Sequence, residues 1–466
     1  MDGRILRESV DGWIDPAVAF EALFADAEFA FWLERGAHGV SLMGEAGPGP
    51  SLVTASVRTG TLTRADTLGA VHEETDGSVL EFLRRHQRMD THASSGGSSF
   101  TPGWIGWLGY ELGAEACGAP VTPSPYPDAA LMFADRAVSF EPATGTVGLS
   151  ARDADGAADW LADTRARLEG LRGVLPHART RREHVQRGAA SGRWRHDDDA
   201  YLKMVRECQS AIARGDAYLL CLTNELRIAG RIDPLDAYIA LRAVSPVSAG
   251  GLIRFGALSV VSASPEQFLQ ISSSGSVVTR PVKGTRPRGD DAAEDARLRA
   301  ELLASAKERA ENLMIVDLMR NDLGRVARLG SVEVERLLEV ETYAQVHQLV
   351  STVRAQLADG VHAIDAVAAA FPAGSMTGTP KISAMTITHG LESGARGIYS
   401  GCFGQFSADG SVDVSMVIRS IVIDDSGASI GAGGGITSLS VPEQELAEVK
   451  LKARALADVV QASMVH

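Results

Sequence analysis

The chain has few cysteines, few aromatic residues and no long apolar run. Only four of its 466 residues are cysteine, and aromatic residues make up 6%. The cysteines are scattered without a CxxC pair, which argues against a disulfide framework or a thiolate zinc site and fits a reducing, cytoplasmic environment. No apolar run is long enough to span a bilayer. The N-terminal stretch MDGRILRESVDGW lacks the apolar segment of a secretory signal.

Positive charge is also in short supply. The chain carries 45 lysines and arginines against 59 aspartates and glutamates, which gives a net charge of −14. This balance argues against a general nucleic-acid-binding protein. With 45% hydrophobic and 22% charged residues, the composition is otherwise that of an ordinary globular protein, long enough for more than one lobe.

Three regions follow one another along the chain. Residues 1–175 mix helical and strand patterns, residues 176–198 are basic and then acidic with almost no apolar residue, and residues 199–466 alternate more regularly between helices and strands. We interpret the middle region as a linker, although the arginines of ARTRR would also suit a phosphate-binding patch. Because no βαβ rhythm with glycine fingerprints is present, the pattern predicts an α+β fold with antiparallel sheets.

Two pairs of glutamates stand at helical spacing. KERAENLMIVDL carries Glu308 and Glu311 inside a long helical pattern over 295–327, and PEQELAEVKLKARAL carries Glu445 and Glu448 behind a proline. Residues three apart lie on one face of a helix. Either pair alone is typical of a solvated helix. Two such faces brought together would offer hard oxygen ligands suited to magnesium, which takes one or two protein carboxylates and keeps other positions for water and a substrate anion.

Basic residues and glycines accompany the acidic segments. In RPVKGTRPR, Lys283 stands where a strand runs into a tight turn. Arg419 stands within the alternating strand VSMVIRSIVI, where a buried charge needs an anion, and a structural salt bridge would satisfy it equally well. In SIGAGGGITS, a strand runs into three glycines, a turn whose N–H groups could cradle a carboxylate. These features suggest an acidic small-molecule ligand with more than one carboxylate, one of them on magnesium.

Many ordered motifs of the chain resemble those of the chorismate-utilising enzymes, which include anthranilate, aminodeoxychorismate, isochorismate and salicylate synthases. The resemblance covers almost the whole chain. The segments GWIGWLGYELGAE and PDAALMFADR are most similar to component I of the aminodeoxychorismate synthases. The resemblance implies a two-lobed α/β sandwich of antiparallel sheets with outer helices and a central active-site cleft. It is densest from Tyr201 onward, in ASPEQFL, RPVKGTRPR, AENLMIVDLMRNDLGRV, VHQLVSTV, FPAGSMTGTPK, GIYSGCFG, IRSIV, GAGGGI and VPEQELAEVKLKA.

The resemblance also implies roles for individual residues. Glu311 and Glu448 match direct magnesium ligands, with Glu308 and Glu445 supporting them, and Glu266 matches the general acid for a departing hydroxyl. The magnesium would hold the ring carboxylate and polarise the ring. The other matched active-site positions are His347, expected to be catalytic, and the expected substrate-binding residues Gly284, Thr285, Ser375, Tyr399, Arg419, Gly433, Gly435 and Lys452.

Lys283 separates the branches of the family. The resemblance implies alanine here in anthranilate synthases and, in aminodeoxychorismate synthases, a lysine that attacks the ring as a covalent nucleophile. Lysine attacks in its neutral form, from a free pKa of about 10.4, and lowering this pKa by ~3 units takes about 4 kcal/mol. Desolvation and cationic neighbours can supply that energy, and Arg280 and Arg286 are the candidate neighbours.

A second position bears on the branch of the family. Leu219 stands where water-adding members carry a lysine base, and leucine cannot deprotonate water. This argues against an isochorismate or salicylate synthase.

The implied function is that of aminodeoxychorismate synthase component I, a magnesium-dependent enzyme that converts chorismate and ammonia to 4-amino-4-deoxychorismate on the para-aminobenzoate and folate route. The chain shows no glutaminase region, so ammonia is expected from a separate glutamine amidotransferase subunit, with no nucleic-acid or membrane partner. Two alternatives stay open: anthranilate synthase component I or another aminating enzyme, and an inactive regulatory subunit. Lys283 argues against the first, and it argues together with the carboxylate pairs against the second. The chain departs from the family pattern at Leu219, Gln267 and Leu439.

Overall fold

A computed structural model describes residues 4–35, 39–87, 100–176, 192–245, 247, 249–343 and 345–465, so most of the expected linker, with ARTRR, lies outside the described residues. The helices are α1 (Pro16–Phe24), α2 (Val79–His86), α3 (Tyr110–Ala116), α4 (Ala157–Glu169), α5 (Asp198–Arg214), α6 (Pro234–Val244), α7 (Ala292–Ala304), α8 (Ala306–Gly324), α9 (Ala363–Ala370), α10 (Gly374–Thr377), α11 (Lys381–Glu392) and α12 (Pro442–Ala462). The strands are β1 (Ile5–Val10), β2 (Phe29–Glu34), β3 (Ser41–Glu45), β4 (Leu52–Ser56), β5 (Thr61–Ala65), β6 (Val71–Asp76), β7 (Gly103–Leu108), β8 (Ala129–Ala134), β9 (Arg136–Glu141), β10 (Thr146–Arg152), β11 (Arg193–Trp194), β12 (Leu219–Ala229), β13 (Ala249–Phe255), β14 (Leu258–Ser264), β15 (Gln267–Ile271), β16 (Ser276–Arg280), β17 (Val282–Pro287), β18 (Glu333–Thr342), β19 (Val346–Gln356), β20 (Gly378–Thr379), β21 (Cys402–Ser407), β22 (Val412–Met416), β23 (Ser420–Asp424) and β24 (Gly427–Ile436).

Every strand pairing among the described residues is antiparallel. The first sheet has the order β1-β10-β9-β3-β2-β13-β14-β23-β24-β12-β11, with β20 also beside β12. The second has the order β17-β19-β16-β15-β22-β21-β7-β8-β4-β5-β6, with β18 also beside β19. Strands from both sides of the expected linker enter both sheets, so the two parts of the sequence build the sandwich together. This is the antiparallel α+β architecture that the sequence predicts.

The sheets face each other across an apolar core, and helices cover their outer faces. Between the sheets, Phe31 and Ile253 of the first sheet pack with Ile105 and Trp107 of the second. Helices α4, α5, α6, α11 and α12 pack on the first sheet, and α8 packs on the second. The acidic segments predicted from sequence therefore belong to the coverings of different sheets, and their contact lies where the two coverings meet.

The helical pattern over 295–327 is divided at Ser305, which corrects the expectation of one long helix. Ser305 has an extended backbone, with φ −63° and ψ 111°, and its hydroxyl accepts a hydrogen bond from the backbone N–H of Glu308 at 3.4 Å. A serine hydroxyl that satisfies a free N–H is a favoured start of a helix. The apolar periodicity continues through this break, so the pattern alone did not reveal it. The restart gives Glu308 and Glu311 their own helix, α8.

Two further expectations about local structure are wrong. The glycines 433–435 do not form a turn but lie within β24, where they pair with residues 221–223 of β12. The local pattern could not show this pairing, because the strand that pairs with the glycines is far away in the sequence. Arg419 lies between β22 and β23 rather than within a strand, and its φ of +50° is left-handed, which is unusual for a residue with a side chain.

The sequence predicts neither a disulfide framework nor a membrane-spanning segment. All four cysteines lie in that part of the chain and are free thiols. None of the described helices combines the length and the apolar character that crossing a bilayer requires.

Candidate active site

The two acidic helix faces predicted from spacing meet in the structure. Glu311 and Glu445, from α8 and α12, are both buried, with 4% and 2% of their surface exposed. Lys307 lies between them: its Nζ is 2.6 Å from Oε1 of Glu445 and 3.8 Å from Oε1 of Glu311. The i,i+3 spacing thus placed the carboxylates correctly on each helix, and the fold brought the two helices together.

Two carboxylate oxygens in this cluster have no hydrogen-bond partner. They are Oε1 of Glu311 and Oε2 of Glu445, and both are buried. Burial raises the pKa of Glu311 to about 7, and the charges of Lys283 and Lys307 offset only part of this effect. Buried polar atoms are nearly always paired, so two unpaired carboxylate oxygens in one cluster are candidate ligands for a cation.

The few carboxylates of this cluster suit magnesium better than an ion that needs many protein ligands. No group of three or more His, Cys, Asp or Glu side chains in metal-binding geometry occurs among the described residues, and magnesium takes only one or two protein carboxylates. Glu448 is half-exposed, and its Oε1 lies 2.7 Å from Nζ of Lys452. Burial would raise the pKa of Glu448, but its ion pair with Lys452 outweighs burial, and the pKa is lowered. Among the four glutamates, the buried oxygens without a hydrogen-bond partner belong to Glu311 and Glu445.

The glycine strand packs directly against these carboxylates. A Cβ atom at Gly435 would lie 2.8 Å from Oε2 of Glu311, and one at Gly434 would lie 3.2 Å from Oε2 of Glu445. The carbonyl of Gly433 accepts a hydrogen bond from Nζ of Lys452 at 2.8 Å. Glycine is needed here for close approach of a strand backbone to the acidic cluster, and not for the turn that the sequence suggested.

Lys283 lies in β17 and points into the same cluster. A bulge at Gly284, whose φ is +79°, interrupts the pairing with β19, and Nζ of Lys283 donates to the carbonyl of Ser375 at 3.3 Å. Burial alone would lower the pKa of Lys283, but nearby carboxylates, above all Glu311, outweigh burial and raise it. The amine therefore faces the acidic cluster rather than bulk solvent.

The expected cationic neighbours of Lys283 lie elsewhere, which corrects the proposed cause of a lowered pKa. Arg280 forms an ion pair with Glu341, and Arg286 forms one with Glu301 at 2.9 Å. Both guanidiniums are held by these other carboxylates, so closeness in sequence did not make the arginines neighbours of the amine. The ions around Lys283 are carboxylates, and the pKa of Lys283 is raised instead of lowered.

Three more of the expected residues border the cluster. Glu266 is 6% exposed; burial raises its pKa, and the charge of Lys283 offsets only part of the shift. Burial lowers the pKa of Arg419, whose guanidinium forms no ion pair within 4.0 Å among the described residues. Tyr399 is buried and its ring covers Gly431, where an added Cβ would come within 2.1 Å of a ring atom. A cation without an ion pair beside an aromatic wall is suited to a carboxylate ligand.

His347 and Thr285 are not joined to this cluster by any described contact. The ring nitrogens of His347 lie 2.9 Å from the hydroxyl of Thr342 and 3.0 Å from Oδ1 of Asp295. Thr285 is exposed. Their expected roles stay predictions.

Two cavities lie near the cluster without containing it. One, of about 250 Å³, has Tyr399 and Gly431 in its wall, together with Arg396. The other, of about 770 Å³, is lined by residues that include Glu34, Arg280 and Asp413. Neither is lined by Lys283 or by the four glutamates, so the acidic cluster is identified by its side chains.

Sequence reasoning missed Lys307, Gly431, Glu392 and Arg396. Lys307 could have been found, because it stands four residues before Glu311, a spacing at which a helix brings opposite charges together. Gly431 carries no local signal, since its need for a small residue comes from the ring of Tyr399. Glu392 and Arg396 form a buried ion pair whose other contacts are distant in sequence.

Comparison with known proteins shows which family model the sequence matches. The model of the chorismate binding enzyme family matches residues 31–458. The chain is 43% identical over 465 residues to "Aminodeoxychorismate synthase" of Streptomyces griseus, covering 97% of this chain but only 64% of that protein. It is 38% identical over 411 residues to "Anthranilate synthase component 1" of Streptomyces coelicolor, covering 84% and 78% of the two chains.

A solved structure agrees with the fold. Anthranilate synthase component I from Streptococcus pneumoniae TIGR4 superposes with a TM-score of 0.74 at 26% identity, covering 93% of this chain and 92% of that one. The predicted architecture, two antiparallel sheets with outer helices, is confirmed by this similarity.

Proposed function

The chain belongs to the family of chorismate binding enzymes, and from that premise we propose that it aminates chorismate to 4-amino-4-deoxychorismate. The observation that carries the proposal is the position of Lys283, whose amine lies among Glu311, Glu266 and Glu308. Among the family members that the chain resembles, anthranilate synthases carry alanine at this position. The similarity to the Streptomyces griseus protein named as an aminodeoxychorismate synthase supports the same branch, although this chain spans only 64% of that protein's length.

We propose that the acidic cluster holds magnesium. Glu311 and Glu445 have unpaired oxygens for it, and Glu308 and Glu448 complete the two acidic faces. When bound, the ion supplies charge that holds the ring carboxylate of chorismate and draws electron density from the ring. Once their charge is compensated, Glu311 and Glu308 no longer favour the ammonium form of Lys283, and burial then favours the neutral amine. The assignment of Glu311 and Glu448 as direct ligands stays a prediction.

The other expected residues would bind and orient the substrate. Arg419 and Lys452 supply positive charge for its carboxylates, and Tyr399 forms an apolar wall. The backbone at 284–285 and 433–435 lets the substrate approach closely. Ser375 holds the amine of Lys283 through its carbonyl. For His347 we propose an orienting role through the Asp295 and Thr342 contacts that it makes.

In the proposed reaction, the neutral amine of Lys283 forms a bond to C2 of chorismate. The ring double bonds shift, and the C4 hydroxyl leaves as water with a proton from Glu266. Ammonia then forms a bond to C4 and its surplus proton returns to Glu266, while the C2–N bond to Lys283 breaks and the lysine leaves as the neutral amine. Burial raises the pKa of Glu266 and so favours the protonated form that the departure of the hydroxyl needs. We further propose that a separate glutamine amidotransferase supplies the ammonia and that the enzyme acts in the cytoplasm.

The product identifies the activity. With chorismate, magnesium and an ammonium salt, we expect the protein to form 4-amino-4-deoxychorismate, identified by chromatography and mass spectrometry. Omission of ammonium is the control and should abolish the amine-containing product. Anthranilate or isochorismate as the main product would reject the proposed branch. Absence of any turnover together with retained chorismate binding would favour the inactive regulatory subunit.

Glu266→Gln is expected to slow the reaction by about 10²-fold or more, the usual contribution of a general acid. Glutamine has the shape of the protonated acid but gives up no proton, so chorismate affinity should stay close to that of the wild type. Steady-state rates and calorimetric binding measure the two effects. Glu339→Gln, on a half-exposed side chain of β18, is the control and should keep full activity. Equal losses in affinity and rate would indicate a binding role for Glu266 instead.

A further inference from the structure

A buried arginine next to the cluster makes an unusually complete set of contacts. The side chains of Arg396 and Glu392 are 2% and 3% exposed. Nε and Nη2 of Arg396 donate to the two carboxylate oxygens of Glu392 at 2.8 and 2.7 Å. The backbone N–H of Thr223 donates to the same carboxylate at 2.8 Å, and the guanidinium stacks over the ring of Tyr110 at 4.3 Å. Burying such a pair is costly unless its remaining donors are satisfied.

The remaining donors of Arg396 reach two walls of the site. Nη1 donates to the carbonyl of Met376 at 2.6 Å, and Nη2 donates to the carbonyl of Cys221 at 2.8 Å. Met376 follows Ser375, whose carbonyl accepts from the amine of Lys283. Cys221 pairs with Gly435 in the sheet, which is the glycine that packs against Glu311. One guanidinium therefore connects the segment that holds the amine with the strand beside the acidic cluster.

The backbone around Arg396 is held as well. The N–H groups of Arg396 and Gly397 donate to the two oxygens of Glu111, at 2.7 and 2.9 Å. Tyr399 follows two residues later and forms the aromatic wall over Gly431. The same short segment thus carries both the guanidinium and the wall, and Glu111 fixes its main chain.

We propose that Arg396 and Glu392 are positioning residues that keep the amine of Lys283 aimed at the substrate by tying the 375–376 segment to β12. They are not catalytic residues, because the described donors of Arg396 are engaged by protein acceptors. A lysine in place of Arg396 could not hold these acceptors in the same plane, because its ammonium is a single point of charge. The inference rests on the proposed function, since it takes chorismate as the substrate and Lys283 as a residue that acts on it.

The test uses two variants of the full chain. Arg396→Lys keeps the charge and loses the planar set of donors, and Glu392→Gln keeps the shape and loses half of the ion pair. For both, we expect kcat for chorismate consumption to fall about 10²-fold, because a misplacement of about 1 Å at a reacting group has that effect. The dissociation constant of chorismate, measured by calorimetry with magnesium, should change by less than about threefold, since the groups proposed to touch it are unchanged.

A second buried pair in the same region provides a matched control. Nζ of Lys381 donates to Oδ2 of Asp322 at 2.6 Å and to the carbonyl of Ala370 at 3.0 Å, with side chains 10% and 4% exposed. Neither acceptor belongs to the 375–376 segment or to β12. Lys381→Met should lower the melting temperature as the test variants do, while kcat stays within about twofold of the wild type.

The outcomes separate positioning from simple stabilisation. The proposal is wrong if the two test variants behave as Lys381→Met does, with a lower melting temperature and unchanged kcat. It is also wrong if affinity falls as much as kcat. If Arg396→Lys does not fold, Glu392→Gln decides by the same criteria. The assay follows chorismate consumption and so does not depend on which product forms. A wild-type product other than 4-amino-4-deoxychorismate would reject the proposed function, and the positioning role would still be decided by comparing the change in kcat with the change in the dissociation constant.

Discussion

Replacing Lys283 by alanine is expected to lower the formation of 4-amino-4-deoxychorismate by about 10³-fold or more, as losing a covalent nucleophile does in other enzymes. The reason is that the amine of Lys283 lies inside the acidic cluster, held by the carbonyl of Ser375 at 3.3 Å. Chorismate affinity should survive, because Arg419 and Lys452 still supply the charge proposed for its carboxylates. Product analysis and calorimetry on the same preparations measure both quantities.

Two companion variants make the Lys283 experiment specific. Lys283→Arg keeps a cation at this position but cannot supply a neutral amine near neutral pH, because arginine stays protonated; it should be as inactive as Lys283→Ala. Lys203→Ala makes the same chemical change at a side chain that is 77% exposed on α5 and should keep full activity. Substantial product formation by Lys283→Ala would remove the covalent step from the mechanism. Activity retained by Lys283→Arg alone would show that the residue acts only through its charge.

Glu311→Gln is expected to abolish the stabilisation of the protein by magnesium and to reduce turnover by about 10²-fold or more, the scale on which losing support for a metal ion acts. Glu311 Oε1 is a buried oxygen without a hydrogen-bond partner, so the wild type should gain melting temperature when magnesium is added. The variant lacks the charge that attracts the ion and should gain little. Glu443→Gln, at an exposed position of the same helix as Glu445, is the control and should respond to magnesium as the wild type does.

The metal-free protein should also show a pH dependence that Glu311→Gln removes. Burial raises the folded-state pKa of Glu311 from 4.5 to about 7, so the folded state holds its proton more tightly than the unfolded state. The free energy of unfolding should therefore fall as pH rises from about 4.5 to about 7, by on the order of 3 kcal/mol. Below this window the group has no effect on stability, and above it the full penalty is present.

Thermal unfolding at pH 5 and pH 8, with a chelator and then with excess magnesium, measures both effects. Without metal, the variant should be more stable than the wild type at pH 8, because it removes a buried carboxylate whose charge Lys283 and Lys307 offset only in part. With magnesium, the order at pH 8 should reverse. An equal magnesium response in both proteins would show that Glu311 is not part of the metal site.

Local patterns predicted the elements that carry the site. The spacing of Glu308 and Glu311 placed both on one face of a helix, and the same holds for Glu445 and Glu448, because helical geometry depends only on neighbouring residues. The ordered motifs identified the chorismate-utilising family, which the family model over 31–458 confirms. Absence of glycine-fingerprinted βαβ units predicted antiparallel sheets, and the described pairings agree.

The environment of each charge was decided only by the tertiary structure. Arg280 and Arg286 are close to Lys283 in sequence, yet they pair with Glu341 and Glu301, and the amine faces carboxylates instead. The glycines of 433–435 became a strand because β12, more than 200 residues earlier, pairs with them.

The sequence by itself therefore determined the residue types on each face of the main helices and strands. Its ordered motifs also identified the family. The tertiary structure alone decided which charges meet, why Gly431 must be small, and how Arg396 joins two walls of the site. The physical reason is range: helical and strand periodicity comes from contacts between near neighbours, whereas the pKa of a buried amine or carboxyl depends on groups that long-range packing brings within a few ångströms.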